Sequence, residues 1–594
     1  MSNPAPLFPV LGVLVLALAS CDVPAARQVD RTSSAQAPVT RGDTIPLPED
    51  GQWTVQSKNV EGWRYSGLTE IDTTNVRNLR EAWTFSTGTL RGHEGTPLVV
   101  GSTMYLVTPF PNIAYALDLA APMQPALKWK FQPNPSPRAI GKACCDIVNR
   151  GWAYADGKLV YNLLDAHTVA VDAETGRELW RTKMDEVENG VTMTMPPLVV
   201  KGKVLVGNSG GEMGAHGWLA ALDLNTGRQL WRAHATGPDS LVRIDSTYRP
   251  FYEWMRRTNS GLTSWPADEW SRGGGASWGW ITYDAALDLI YYGTSNPSPW
   301  NQEQRQGDNL FTAAVFARDP DTGMARWAYQ FTPHDEWDYD GVNENTILDL
   351  PIDGPGRPTR SVIVHFNRNA FVYVIDRRTG QVLSATPFQH MNWADSINMT
   401  TGRPHVRAEK RTWENRWTRD ICPHALGAKN HPHTAWSPRT RLMYAPTLNL
   451  CMDYIARPVS YIAGTPYWGA ETKTNVGPGG NRGELIAWDP VARRKVWGIP
   501  EKFPAFSPVL TTAGDLVLYG TIEGDFKAVH ARTGQLLWTK RLGSGIIGGP
   551  MTYRGPDGKQ YVAVLSGIGG ATGGFRDVPG YPQQGGTLHV FTLP

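Results

Sequence analysis

The run VAVDAETGRELW, residues 169–180, recurs along the chain with its spacing kept. It returns as AALDLNTGRQLW (220–231), FARDPDTGMARW (316–327) and AVHARTGQLLW (528–538). Weaker copies are YALDLAAPMQPALKW (115–129), IAWDPVARRKVW (486–497) and YVIDRRTGQVLS (373–384), where Ser384 stands in the Trp position. NLREAW, ending at Trp83, supplies only the tail of the unit. The full pattern reads as a short strand, an Asp that bonds its own backbone, a Thr-Gly turn whose Gly takes positive φ, and a Trp opening the next strand. A unit this small cannot bury its own apolar face, so the units must stack. Eight copies over residues 52–594 leave about 68 residues each, enough for a four-stranded blade with generous loops. The expected fold is all-β, an eight-bladed β-propeller docked by tryptophan. Residues 586–593 alternate weakly and are expected to supply its closing strand.

Composition agrees. The 594 residues include 24 Trp, 61 Gly and 45 Pro, the usage of a protein with many turns and many large buried rings. Hydrophobic residues are 41% and charged residues 19%, which suits a large core and not a disordered chain. A net charge of +2 argues against a nucleic-acid binder held by bulk electrostatics. The intervals 231–327 and 384–497 are long and carry insertions. One of them, 234–272, is rich in Trp, Tyr and Arg without strand alternation. Such insertions are expected to lie over one face and shape a site, the alternative being surface decoration.

Residues 7–20, LFPVLGVLVLALAS, are too short an apolar run to span a bilayer and fit a signal-peptide core. Leu18-Ala19-Ser20-Cys21 resembles a bacterial lipobox, which would lipidate Cys21 and tether the protein to a membrane. Residues 1–6 depart from the pattern in carrying no Lys or Arg. The reading is a signal peptide over 1–21, a flexible Ser/Thr/Pro/Ala-rich linker over 22–51, and export to the periplasm. Beyond Cys21, four cysteines remain at 144, 145, 422 and 451, an even number in an oxidising compartment. A Cys422–Cys451 disulfide would close a loop within an insertion. Cys144 and Cys145 are neighbours. A disulfide between them closes an eight-membered ring, and such strain usually accompanies function. Two free thiols are the alternative.

Three longer motifs carry a resemblance: GKACCDIVNRGWAY (141–154), GASWGWITYDAALDLIYYGTSNPSPWN (275–301) and TPHDEWDYDGVNEN (332–345). Residues 52–594 resemble the quinoprotein alcohol dehydrogenases, and most of all the methanol dehydrogenase large subunits of the lanthanide type. These are eight-bladed propellers holding pyrroloquinoline quinone (PQQ) and a metal on the axis. The resemblance implies a vicinal disulfide Cys144–Cys145 and a second disulfide Cys422–Cys451. It implies that Trp278 stacks on one face of PQQ and the cysteine ring covers the other. Glu94, Arg150, Thr194, Ser209, Gly210, Gly211, Arg368 and Asn430 match its polar and backbone cofactor contacts. Guanidinium groups suit the carboxylates of PQQ. Ala276 stands where the family commonly has Thr, so one cofactor hydrogen bond is absent or comes from Ser277.

Glu212, Asn296 and Asp338 match the family's metal ligands, and all offer oxygen, as hard cations prefer. Asp340 lies two residues on, on the same side of an extended stretch. Members of the family that use lanthanides carry an Asp at this place. A further carboxylate offsets the charge of a trivalent ion and is surplus repulsion for a divalent one. Lanthanide(III) is therefore expected, with Ca2+ the alternative. The resemblance makes Asp338 the general base that takes the alcohol proton while hydride passes to the quinone. Trp300 matches an aromatic wall of a small substrate pocket, which implies a short primary alcohol. No C-x-x-C-H occurs, so a separate soluble cytochrome c is the implied acceptor. Homodimerisation stays open. The rival readings are a quinoprotein acting on longer alcohols or polyols, and a cofactor-free propeller scaffold lipoprotein.

Overall fold

A computed structural model describes residues 49–354 and 356–594. The expected signal peptide, nearly all of the expected linker, and Cys21 lie outside the described residues. The described chain is all-β. It holds seven four-stranded sheets and one of five strands, with neighbouring strands antiparallel and mostly in chain order. The fifth strand of the last sheet, Tyr65–Ser66, pairs parallel to Leu510–Thr512. One sheet joins an early strand to the last described one: Arg80–Ser86 pairs with Thr587–Thr592, the strand expected near 586–593. Burial is deepest in the inner strands, where Thr103–Val107 and Leu289–Gly293 are buried throughout. The outermost strands alternate, as in Arg80–Ser86.

The repeat explains how sheets adhere. Asp172 Oδ1 accepts from the backbone N–H groups of Glu174 and Thr175 and from the Thr175 hydroxyl, and Gly176 closes the turn at φ 71°. Asp223 and Gly227 repeat this. Each turn then receives a tryptophan from the preceding sheet. Trp129 donates its indole N–H to Ala173 O (3.0 Å), Trp180 to Leu224 O (3.0 Å) and Trp231 to Pro320 O (3.0 Å). Trp327 and Trp497 dock likewise on Arg377 O and Ala531 O. The turn glycine is needed twice over. A Cβ on Gly323 would lie 2.6 Å from the Trp231 ring, and its φ is 71°. Truncating a buried tryptophan of this kind to alanine costs about 3–5 kcal/mol. Trp538 packs edge-on against Phe591 of the strand Thr587–Thr592. Ser384 is buried at the corresponding place, opposite Val374. The outer strand pair slips register once in every one of the eight sheets, a bulge just before the docking position.

The two long insertions behave differently. Residues 384–497 add two small sheets. One pairs Ala394–Ile397 with Pro404–Val406; the other joins Thr418–Ile421, Leu450–Ala456 and Ala470–Val476. The expected Cys422–Cys451 disulfide lies beside the second, with S–S 2.04 Å. Residues 234–272 form short helical turns whose Val242, Tyr248, Tyr252 and Met255 join the main core. Among the described residues this insertion contributes nothing to the cavity below, which corrects the expectation that it shapes the site. Its apolar face is spent on the core.

Several core histidines are neutral. Burial pushes His93 and His433 down to about 4 and His216 and His365 down to about 3. The unfolded chain binds protons at these sites near pH 6.5, so it holds more protons than the folded state between about pH 6.5 and 4. Stability is full above that window and falls as pH drops through it. The unfolding temperature, followed by near-ultraviolet circular dichroism, is expected to decline steadily from pH 7 to pH 4. A flat profile would contradict the neutral burial of these imidazoles.

Candidate active site

The sheets leave their connecting loops at one cavity of about 220 Å³. Glu94 precedes the strand Leu98–Val100, and Cys144, Cys145 and Arg150 precede Trp152–Ala155. Thr194 precedes Leu198–Val200 and Ser209–Glu212 follow Lys203–Gly207. Trp278 precedes Ile281–Asp284, Asp338 and Asp340 precede Thr346–Leu350, and Arg368 sits on the turn before Phe371–Asp376. Loops of many sheets thus meet at one place, which a rigid sheet scaffold allows. All the predicted site residues line the cavity except Gly211 and Asn296. Asn296 is fully buried beneath it, its backbone N–H donating to Asp340 Oδ1 at 2.5 Å.

One side of the cavity is an Arg–Glu–His cluster. Arg150 Nε lies 2.8 Å from Glu94 Oε2, and its Nη1 donates to Thr194 Oγ1 at 2.7 Å. Thr194 Oγ1 is 3.0 Å from Ser209 Oγ, and His431 Nε2 is 3.3 Å from Glu94 Oε2. Burial alone would raise the Glu94 pKa, but Arg150 and His431 hold it below the usual carboxylate range. Burial pushes His431 down to about 4, with Arg150 adding to the shift. The Arg150 and Arg368 guanidinium carbons stand 5.0 and 5.5 Å from the Trp278 ring centre, so the indole is flanked by two cations.

The other side is acidic. Arg368 Nη1 is 3.0 Å from Asp338 Oδ2, and its Nη2 is 3.1 Å from Asp340 Oδ2. The same Nη1 donates to Asp338 O and Ala425 O. Asp338 adopts φ 67°, a strained conformation for a non-glycine residue. Glu212 stands in a single 3-10 turn between Gly210 and Gly214, both at positive φ. Burial raises the pKa of Asp338, Asp340 and Glu212 from their ordinary values, most strongly at Asp338; Asp340 adds to the rise at the other two. Two carboxylates, Asp338 and Asp340, therefore share one guanidinium, and Glu212 stands close enough to feel their charge. Two further oxygens, Asp338 Oδ1 and Asn296 Oδ1, are buried with no hydrogen-bond partner. A donor set of hard oxygens with surplus negative charge fits a multivalent cation. The oxygens do not form a tight cluster of three. Among the described residues, the set that does is His390 with Cys422 and Cys451, whose sulfurs are spent in a disulfide.

One expectation is modified. Cys144 and Cys145 are thiols here, Sγ to Sγ 3.0 Å, so the adjacent disulfide is not formed in this structure. A bond needs an approach to about 2.05 Å. The Ser277 hydroxyl, offered as the substitute for the missing Thr, is buried without a partner and lies outside the cavity lining, as Asn296 does. The structure also adds cavity residues that motif reading missed, chiefly His424, His431 and Trp468 of the 384–497 insertion. His431 neighbours Asn430 and was within reach of the same reading. Trp468 had no signal, since its loop fits no repeat.

The sheets and the site together define a quinoprotein of the PQQ-dependent dehydrogenases. A family profile described as "PQQ: Glucose/ethanol/alcohol dehydrogenase, beta-propeller domain" matches residues 53–396 and 481–562, and the chain belongs to that family, an oxidoreductase. The unmatched stretch between them holds the three-stranded sheet and the disulfide. The chain is 51% identical over 526 residues to the lanthanide-dependent methanol dehydrogenase of Methylacidiphilum fumariolicum, covering 88% of this chain and 85% of that protein. It is 40% identical to methanol dehydrogenase [cytochrome c] subunit 1 of Methylobacterium organophilum, covering 92% and 91%. A solved europium-containing methanol dehydrogenase superposes with a TM-score of 0.89 at 48% identity, covering 91% of this chain and 98% of that one.

Proposed function

We propose that this protein oxidises short primary alcohols of the methanol type to aldehydes in the periplasm, using PQQ and a lanthanide(III), and passes the electrons to a cytochrome c. The observation that carries the reading is the acidic set of Asp338 and Asp340 on one guanidinium, with half-buried Glu212 nearby, beside a tryptophan flanked by two arginines. The names of the similar proteins agree with it. In this reading the eight main sheets are the blades of a closed propeller, and the pairing of Arg80–Ser86 with Thr587–Thr592 in one sheet supports that. The Cys422–Cys451 disulfide and the leader pattern support an oxidising, exported setting.

Arg150, Thr194, Ser209 and Asn430 would hold the carboxylates and carbonyls of PQQ, Trp278 one ring face, and oxidised Cys144–Cys145 the other. Glu212, Asn296, Asp338 and Asp340 would hold the cation. When bound, PQQ accepts two electrons and the cation serves as Lewis acid. Arg368 keeps Asp338 Oδ2 in place and leaves Oδ1 free to take the hydroxyl proton. The apolar wall at Trp300 keeps water from the alcohol carbon and leaves room for a small chain.

The test is dye-linked alcohol oxidation by metal-free protein reconstituted with PQQ and either a light lanthanide or calcium, on methanol and ethanol. Activity with the lanthanide alone is expected. Activity with calcium alone removes the meaning given to Asp340. Neither activity nor bound quinone overturns the enzymatic reading.

A further inference from the structure

Trp468 belongs to no repeat and no family motif quoted above, yet it reaches the site. It lines the cavity and is still 39% exposed, so it spans from the interior to the surface. Its ring stacks on Trp300 at 6.2 Å between centroids and 23° between planes. The backbone beneath it is pinned at three consecutive residues. Tyr467 N donates to Glu212 O (2.7 Å), Trp300 N to Trp468 O (2.6 Å), and Arg457 N to Gly469 O (2.8 Å). Gly469 has φ 68°, and a Cβ there would meet Val459 at 2.9 Å. The loop is therefore held in place and carries a rigid two-ring wall.

We infer that Trp468 is a specificity-determining residue, a fixed aromatic rim over Trp300 that narrows the entry to the Asp338 side of the cavity and restricts substrates to the shortest primary alcohols. The inference rests on the proposed alcohol oxidation and adds what sets the chain length. A rigid wall discriminates by clash: each methylene past the available space must displace a stacked indole whose backbone cannot move. A smaller residue at 468 leaves Trp300 as the sole ring of this wall and widens the cavity there by most of an indole's volume.

The experiment uses the full chain loaded with PQQ and lanthanum. In Trp468→Val, the ratio of kcat/KM for 1-butanol over methanol is expected to rise at least about tenfold, and in Trp468→Phe by about threefold. In parallel, calorimetry follows tert-butanol, which has no α-hydrogen to lose and reports access without turnover. It should bind Trp468→Val at least about tenfold more tightly than the parent. A selectivity ratio and a tert-butanol affinity both unchanged within about twofold would overturn the inference. If Trp468→Val does not fold, Trp468→Phe decides by the same two readouts. Parent protein that holds quinone but turns over no primary alcohol overturns the proposed reaction instead, and the tert-butanol comparison still judges the rim.

Discussion

Asp340→Ala is expected to abolish lanthanide-supported turnover and to weaken lanthanide binding by about 100-fold or more. Asp340 is 1% exposed, and its two oxygens are engaged by Arg368 Nη2 and by the Asn296 amide. Removing it therefore does more than remove charge. It frees the backbone of Asn296, another expected ligand, and releases one arm of the guanidinium that positions Asp338. The acidic set drops from three carboxylates to two, which suits a divalent ion better than a trivalent one. Direct europium luminescence measures the binding loss apart from activity. Turnover with lanthanum that survives within about tenfold would mean the third carboxylate is not a ligand.

Asp338→Asn is the second large effect. The amide keeps the volume and can still accept from Arg368, but it cannot take a proton. A loss of about 10³-fold in kcat is expected, within the range for removing a general base. Quinone absorbance should be retained, because Arg150, Thr194 and Trp278 are untouched. Two carboxylates compete for the role, and their surroundings separate them. Glu94 is held low by Arg150 and His431, which makes it a weak base. Burial and the neighbouring Asp340 and Glu212 raise Asp338, and its Oδ1 has no partner. A bound cation pulls Asp338 back down, so its basicity is set by burial and repulsion against the metal. A kcat within about tenfold of the parent would move the base to Glu94 or to solvent.

Much of the sheet architecture was legible because its determinants are local. An Asp that caps its own turn, a glycine at positive φ and a tryptophan a few residues on need no distant partner to be recognised. The outer-strand bulges were not legible, since a register slip leaves no residue signature of its own. Nor was the fate of 234–272. Its aromatics fit a site cover as well as a core, and Tyr248 and Tyr252 show that the core claimed them.

The same division runs through the site. Sequence alone determined which donors this protein has: hard oxygens at Glu212, Asn296, Asp338 and Asp340, guanidinium at Arg150 and Arg368, and the Trp278 ring. Residue type sets that chemistry, and residue type is written in the chain. Tertiary structure decided what those groups do to one another. Arg368 bridges Asp338 and Asp340 from 28–30 residues away, His431 joins Glu94 across more than three hundred, and Trp468 lands on Trp300 from another insertion. Distances of 3 Å between such remote positions are fixed when the sheets pack and bring their loops together, and no short stretch of sequence carries that closure.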